Sequence, residues 1–355
     1  MTVLDNITAL GKEVPIDKIE RELHQLWEAD DARTNASLIN LAVYSEKEGG
    51  LADNSEIVRE ITRENACRAL LVGLDEKVEE VSVRAWITAH CHLAHGQKSV
   101  CCEQISFHLT GHSVGRFGNT IFAHLQSDLP LIFWWQGNLS CAFDESLYRR
   151  IDRLVIDSSS WDDASEQFNR VIEAIDNVNL AVQDLAWTRT YHFRLALASL
   201  YDDLKASDSL DNVSQVNLVV NPKHTSSGLQ LLAWFVVMAG WTRSQDLISD
   251  EADSGSYRFL TKSGKLVDAT IVVDEDSAPL GKMEVVADEV NICVSRESGS
   301  KYLHQQLNSG NHVIDVHSPA DSEKNSELVA DQLSRGGKNS LFKKVLPTFI
   351  ELLNE

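Results

Sequence analysis

The densest set of side chains able to do chemistry is His90-Cys91-His92-Leu93-Ala94-His95, followed by Cys101-Cys102. Imidazole and thiolate are the donors zinc prefers, and four of these groups would suffice for a tetrahedral site. The spacing matches none of the usual zinc patterns, and the segment has no paired C-x2-C. On a strand adjacent side chains face opposite ways, so His90 and His92 could converge while Cys91 points away. The favoured reading is a histidine-bearing loop between two antiparallel strands, with no metal assigned. Cys101 and Cys102 are neighbours at a strand start, where a bridge between them would be strained. Either is free to pair with Cys91 or Cys67 across a sheet, and a redox role would require an accessible thiol of low pKa.

A second constellation is rich in arginine. It runs Arg149-Arg150-Ile151-Asp152-Arg153 up to Asp157-Ser158, then Asp184-Leu185-Ala186-Trp187-Thr188-Arg189 through His192 and Arg194. Guanidinium forks such as Arg149 and Arg153 suit phosphate esters, so an anion site is one reading. The competing one is an internal Arg–Asp network that fixes two segments together, with Asp184 capping a helix or pairing with an arginine. Nucleophile elbows, P-loops and dinucleotide fingerprints are missing from the chain. Gly111–Gly118 has three glycines ahead of a helical pattern and reads as a plain turn. No catalytic residue and no cofactor is assigned.

The elements that must position these groups alternate. Asp128–Gly137 holds an apolar run from proline to glycine, too short for a helix, and reads as a buried strand. Its Trp134 and Trp135 must face opposite ways, one completing a core, the other free to meet a second layer or a partner. Helical patterns are predicted over 15–28, 54–65, 115–126, 164–177, 188–205 and 226–239. Strands are predicted over 37–44, 67–74, 81–89, 100–109, 153–157 and 213–220. This interleaving implies an α/β fold with a mixed sheet covered by helices, since the hairpin-like pair 81–89 and 100–109 argues against a purely parallel one. Beyond an acidic, serine-rich stretch at 246–256, four short strands (257–261, 266–273, 282–287, 290–296) and two helices (321–334, 341–353) follow. They suggest a smaller α+β part with an antiparallel sheet. Domains are therefore expected at 1–205 and 206–355.

Composition narrows the function classes. A length of 355 residues suggests two domains, and 43% hydrophobic with 24% charged residues marks a globular chain. The net charge of −21 would repel nucleic acid and anionic lipid, which are excluded as partners. No apolar run is long enough to span a bilayer, and the first residues lack the pattern of a secretory signal. Six cysteines in a chain of this size are no disulfide scaffold, so a cytoplasmic protein with reduced thiols is expected.

Several separated blocks together resemble the OpcA family of glucose-6-phosphate dehydrogenase assembly proteins. They are Ile19–Trp27, Ala32–Tyr44, Cys67-Arg68, Cys102-Glu103-Gln104-Ile105, Asp128–Gly137, Arg153–Ser158 and Asp184–Arg194. The resemblance implies a non-catalytic subunit that binds glucose-6-phosphate dehydrogenase, promotes its active oligomer and activates it in the oxidative pentose phosphate pathway. In cyanobacterial members it implies thioredoxin-dependent control, which would give the cysteines a meaning and make thioredoxin a further partner. It matches no particular cysteine here to a regulatory position, and Cys101 and Cys102 remain the redox candidates on their own chemistry. Tryptophan and arginine are enriched at interface hot spots. Trp134, Trp135, Trp187, Arg189, Arg194 and an exposed Trp241 are therefore candidates for contact. The alternatives are a regulator that senses a sugar phosphate and a metal-dependent hydrolase built on His90, His92 and His95.

Overall fold

The computed structural model describes residues 9–28, 33–35, 37–75, 77–94, 98–111, 117–244, 255–335 and 339–354. The chain forms two compact units, one of residues 1–162, 166–183 and 324–338, the other of 163–165, 184–323 and 339–355. The units meet in sequence near residue 183, where the expected domain boundary was 205. The cause is packing: the segment from Asp184 onward lays Trp187 against Phe342, ring centroids 5.5 Å apart, inside the second unit. The proposed linker at 246–256 lies almost wholly outside the described residues.

The first unit is built on a nine-stranded mixed sheet among the described residues. Its strands are β1 (Lys12–Val14), β2 (Arg33–Asn35), β3 (Ile39–Ser45), β4 (Cys67–Asp75), β5 (Ser82–Ala94), β6 (Lys98–Thr110), β7 (Leu131–Trp135), β8 (Arg153–Ile156) and β9 (Ala181–Asp184). The order is β1-β5-β6-β4-β3-β7-β8-β9, with β2 also on β6. Strands β3, β4, β6, β7 and β8 run parallel, while β5 turns back on β6 as the hairpin pattern predicted. Near-continuous apolar runs in β3, β4 and β7 follow from burial on both faces. For that reason Trp134 and Trp135, though pointing oppositely, are both inside, at 1% and 0% exposure.

Side-chain networks explain why the matched blocks lie so far apart in sequence. Arg68 on β4 pairs with Glu103 on β6 at 3.4 Å, both buried, and with Glu20 of helix Ile19–Glu28. Trp27 Nε1 of that helix donates to Glu103 Oε1 at 2.6 Å. Three blocks thus meet at one buried ion pair. Asn40 performs a similar task, donating to the carbonyls of Gln126 and Leu129 at 2.9 Å and accepting from Gln126 N. It sets the turn that leads into the tryptophan strand.

The second unit holds an eight-stranded sheet among the described residues. Its strands are β10 (Val213–Val220), β11 (Thr242–Arg243), β12 (Ser256–Leu260), β13 (Leu266–Val273), β14 (Leu280–Ala287), β15 (Asn291–Ser295), β16 (Tyr302–Ser309) and β17 (His312–Pro319). The order is β11-β12-β13-β10-β14-β15-β16-β17. It is antiparallel as expected except for the central pair β10 and β13, which run parallel. Alternation along most of β10, β14 and β15, interrupted in β10 by a bulge near Ser214, buries one face and leaves the other largely to polar side chains. Helix Thr225–Ala239, buried along most of its length, and helix Ser340–Leu353 belong to this unit. Helix Asn325–Ser334 belongs to the first unit instead.

The helix predicted over 188–205 is broken into Leu185–Thr188, Tyr191–Tyr201 and Leu204–Ser209. Asp203 caps the last of these, accepting from Lys205 N at 2.9 Å, and its extended backbone interrupts the pattern. A short acidic side chain that captures free amides outcompetes helix continuation here.

Candidate functional site

In an open sheet of parallel strands, the natural place for a ligand is the crevice beyond the carboxyl ends, where the strand order reverses. In the first unit that point lies between β3 and β7, because the chain steps outward to β4 and β6 and then returns to the other side of β3. A cleft of about 490 Å³ sits there, lined by Ser45, Lys47, Asp53, Asn54, Trp134, Gln136 and Asp157. Asn54 and Gln136 exchange two hydrogen bonds of 3.0 and 2.8 Å beside it. Asp157 caps the turn Ser158–Ser160, accepting from Ser159 N.

The loop from β3 to helix Gly50–Ile61 decides what the cleft can hold. It reads Glu46-Lys47-Glu48-Gly49-Gly50, with Gly49 in the left-handed region at φ 73°. A helix N-terminus would favour a phosphate. This loop, however, carries Glu46 and Glu48, and Asp53 stands in the first turn with Lys47 drawn to it at 3.3 Å. A carboxylate within about 5 Å of a phosphate charge opposes it by roughly 1–3 kcal/mol. The place a dinucleotide-binding fold keeps for its pyrophosphate is therefore here, but the residues do not fit one.

The histidine and cysteine cluster resolves differently from its loop reading. Strand β5 continues to Ala94, so His90 and His92 stand on a strand, while His95 lies outside the described residues. Each imidazole is engaged separately: His90 with Gln104 Oε1 at 2.8 Å, His92 with Thr62 Oγ1 at 3.0 Å. Burial lowers the pKa of both. Cys91 faces away and is joined to its cross-strand neighbour Cys101 in a disulfide, which corrects the expectation of reduced thiols. Cys102 lies beside Cys67 in the core. The hydrogen bond from Cys67 draws Cys102 down to about 7, while that bond and burial push Cys67 up. The disulfide closes a span of 10 residues. Chain-entropy reasoning gives such a loop no more than about 3 kcal/mol. Unfolding by urea with and without reductant should show the unfolding free energy falling by that much or less, and a larger loss would mean the hairpin depends on the bond.

The arginine constellation divides between the two units. Arg149, exposed, takes Glu145 Oε1 at 2.7 Å through Nε. Arg153, half-buried and with its pKa lowered by burial, donates to the carbonyls of Gln332 and Arg335 at 2.9 and 3.3 Å. In the second unit, Asp184 is fully buried and caps helix Leu185–Thr188, accepting from Ala186 N at 2.9 Å and from Gln230 Nε2 at 2.6 Å. Arg194 lies flat over Trp187, its Cζ 3.8 Å from the ring centroid, and donates to Thr190 Oγ1 at 2.9 Å. Arg189, Arg194 and Trp187 are all buried, at 6%, 8% and 3%. The block is an internal joint of cap, stack and hydrogen bonds. Trp241, expected at the surface, is also inside, its ring 5.3 Å from Phe235.

Sequence reasoning passed over one group, His304, Asp315 and His317, which the β16–β17 hairpin brings together. Its signal was the i, i+2 pair Asp315 and His317 set across a Ser309-Gly310-Asn311 turn from His304.

Two family models match the chain. The N-terminal domain of glucose-6-phosphate dehydrogenase subunits matches residues 58–173, and the C-terminal domain of the same subunits matches residues 180–346. A comparison with curated protein sequences returned no match. Among solved structures, an aldose-aldose oxidoreductase from Caulobacter crescentus is 13% identical, with a TM-score of 0.46 over 89% of this chain and 96% of that one. A 3-ketoreductase from Actinomadura kijaniata gives 9% and 0.49 over 88% and 95%. The transcriptional regulator Gal80p from Kluyveromyces lactis gives 8% and 0.47 over 90% and 92%. Likenesses this distant carry no functional argument.

Proposed function

The chain belongs to the OpcA family of glucose-6-phosphate dehydrogenase subunits, and from that premise we propose that it is a non-catalytic subunit acting in the cytoplasm. It binds the dehydrogenase, favours its active oligomer and raises its activity. The observation that carries the reading is the match of subunit-family models to both halves of the chain. The acidic loop at the ligand crevice, unsuited to a pyrophosphate, supports the non-catalytic part. The mechanism is linkage: a partner with higher affinity for the active conformation or oligomer shifts the population towards it, by no more than its differential affinity.

The reading assigns contact to exposed side chains, because Trp134, Trp135 and Trp187 are enclosed. Those tryptophans, with Asp184, Arg189 and Arg194, shape the surface from within. The Cys91–Cys101 bond is the group on which a dithiol reductant such as thioredoxin would act, since Cys91 is exposed.

The test is direct. The purified chain is added to its cognate dehydrogenase, and complex formation, oligomer size and apparent affinity for glucose 6-phosphate are measured. Co-elution with a larger dehydrogenase assembly and tighter substrate binding is the expected result. Separate elution with unchanged oligomer and kinetics would overturn the proposal.

A further inference from the structure

The β16–β17 hairpin ends the order of the second sheet, so β17 is an edge strand with one lateral edge unpaired in that sheet. Cross-strand register sets His304 opposite His317 and Gln306 opposite Asp315. All four residues therefore point from the same face, the one that alternates away from buried Leu303, Gln305 and Leu307. The two imidazoles stack, with centroids 4.6 Å apart and planes within 8°. His304 Nε2 lies 2.8 Å from Asp315 Oδ1, and Gln306 Nε2 donates to Asp315 Oδ2 at 3.1 Å. One donor atom from each of His304, Asp315 and His317 lies within 4.8 Å of the other two.

We propose that His304, Asp315 and His317 form a surface site for a divalent transition-metal ion, with three protein ligands and a coordination position open to solvent. Two imidazole nitrogens and one carboxylate oxygen suit zinc, cobalt, nickel or copper(II) rather than magnesium or calcium, which prefer all-oxygen shells. Zinc holds such ligands at about 2.0–2.2 Å, so their donor atoms stand roughly 3.4 Å apart in a tetrahedron. The present spread of up to 4.8 Å must contract by a little over 1 Å at its widest. An ion also lies in the plane of each imidazole it binds, so the stacked rings must fan apart. Side-chain torsions suffice for both changes, because Asp315 and His317 are exposed and His304 is only partly covered. Gln306 holds the second carboxylate oxygen, the kind of outer contact that fixes a ligand's orientation. The ion would replace the hydrogen bond between His304 Nε2 and Asp315 Oδ1.

The hairpin gives the site rigidity that scattered surface histidines lack. All three ligands rise from paired strands in fixed register, so the backbone part of the geometry is set before the ion arrives. A third imidazole, His312, lies at the turn end of the hairpin but is bound to Asp203 at 2.8 Å. It serves as an internal control.

The experiment titrates the tag-free chain with cobalt(II) and follows the visible ligand-field absorption, with zinc as competitor. The expected result is saturable binding of one ion, weakened about a hundredfold or more in His304→Ala and in His317→Ala and unchanged in His312→Ala. Far-ultraviolet circular dichroism checks that each variant folds. For the wild-type chain, paramagnetic broadening of the His304 and His317 ring protons on addition of cobalt(II) reports the site without any substitution. Absence of saturable binding, or binding that neither variant weakens and that leaves those ring protons sharp, would overturn the proposal.

Discussion

Trp135→Ala is expected to lower the unfolding free energy by about 4 kcal/mol, within the 3–5 kcal/mol typical of a buried aromatic cut to alanine. The indole is fully enclosed and packs 4.1 Å from Tyr44, 5.7 Å from Phe143 and 6.0 Å from Phe133, centroid to centroid. Its Nε1 donates to the Asn138 carbonyl at 2.9 Å, so the substitution removes that bond as well as leaving a void. The surrounding rings lie on three separate strands and loops, which limits how far they can collapse into the space. Urea unfolding followed by circular dichroism, rather than by tryptophan fluorescence, measures the loss. A variant within about 1 kcal/mol of wild type would show that the ring is not the centre of the first unit's core. Impaired binding to the dehydrogenase in such a stable variant would instead make Trp135 a contact residue.

Asp184→Ala is expected to cost about 3 kcal/mol, by a different route. The carboxylate is fully buried yet serves two donors, Ala186 N at 2.9 Å and Gln230 Nε2 at 2.6 Å. Losing a helix N-cap costs about 1 kcal/mol. A buried amide left without its acceptor adds roughly 1–3 kcal/mol. Asp184→Asn keeps an acceptor oxygen for one of the two donors and should fall about midway. If alanine and asparagine behaved alike and cost little, the joint built around residues 184–194 would not depend on this carboxylate. Thermal unfolding of the three proteins side by side decides the matter.

How much of this was legible beforehand depended on whether a residue's partners were local. Strands Val213–Val220 and Leu266–Val273 were readable to the residue, because a β-branched, largely alternating pattern is a property of the segment itself. Strand Tyr302–Ser309 escaped notice. Its inner face buries Gln305 between Leu303 and Leu307, and the partners that make a glutamine acceptable there, Ser318 across the hairpin and Ser199 on helix Tyr191–Tyr201, lie outside the strand. Without β16 and β17 in view, His304, Asp315 and His317 could not be seen as one cluster. The break at Asp203 was hidden for a similar reason, since apolar spacing alone continues past it.

At the signature blocks, residue types were recognised but their direction was not. Tryptophan and arginine suggest contact with a partner on general grounds. Here Arg194 is stacked on Trp187, and Arg68 is paired with Glu103 beneath Trp27. Whether such a group faces in or out depends on what covers the sheet or helix that bears it. The two cysteine pairings were both open from sequence, and register settled them: Cys91 stands opposite Cys101, leaving Cys102 to Cys67.

Helix Asn325–Ser334 gives the chain a particular history on the ribosome. It completes the first unit, where Ser326 Oγ donates to Glu60 Oε2 at 2.5 Å and Arg153 reaches the Gln332 carbonyl at 2.9 Å. The segment that finishes the first unit is thus translated only after nearly all of the second. A nascent chain must hold its first unit without this helix while the second sheet emerges, and a gene fragment ending near residue 183 encodes a unit lacking one of its own helices.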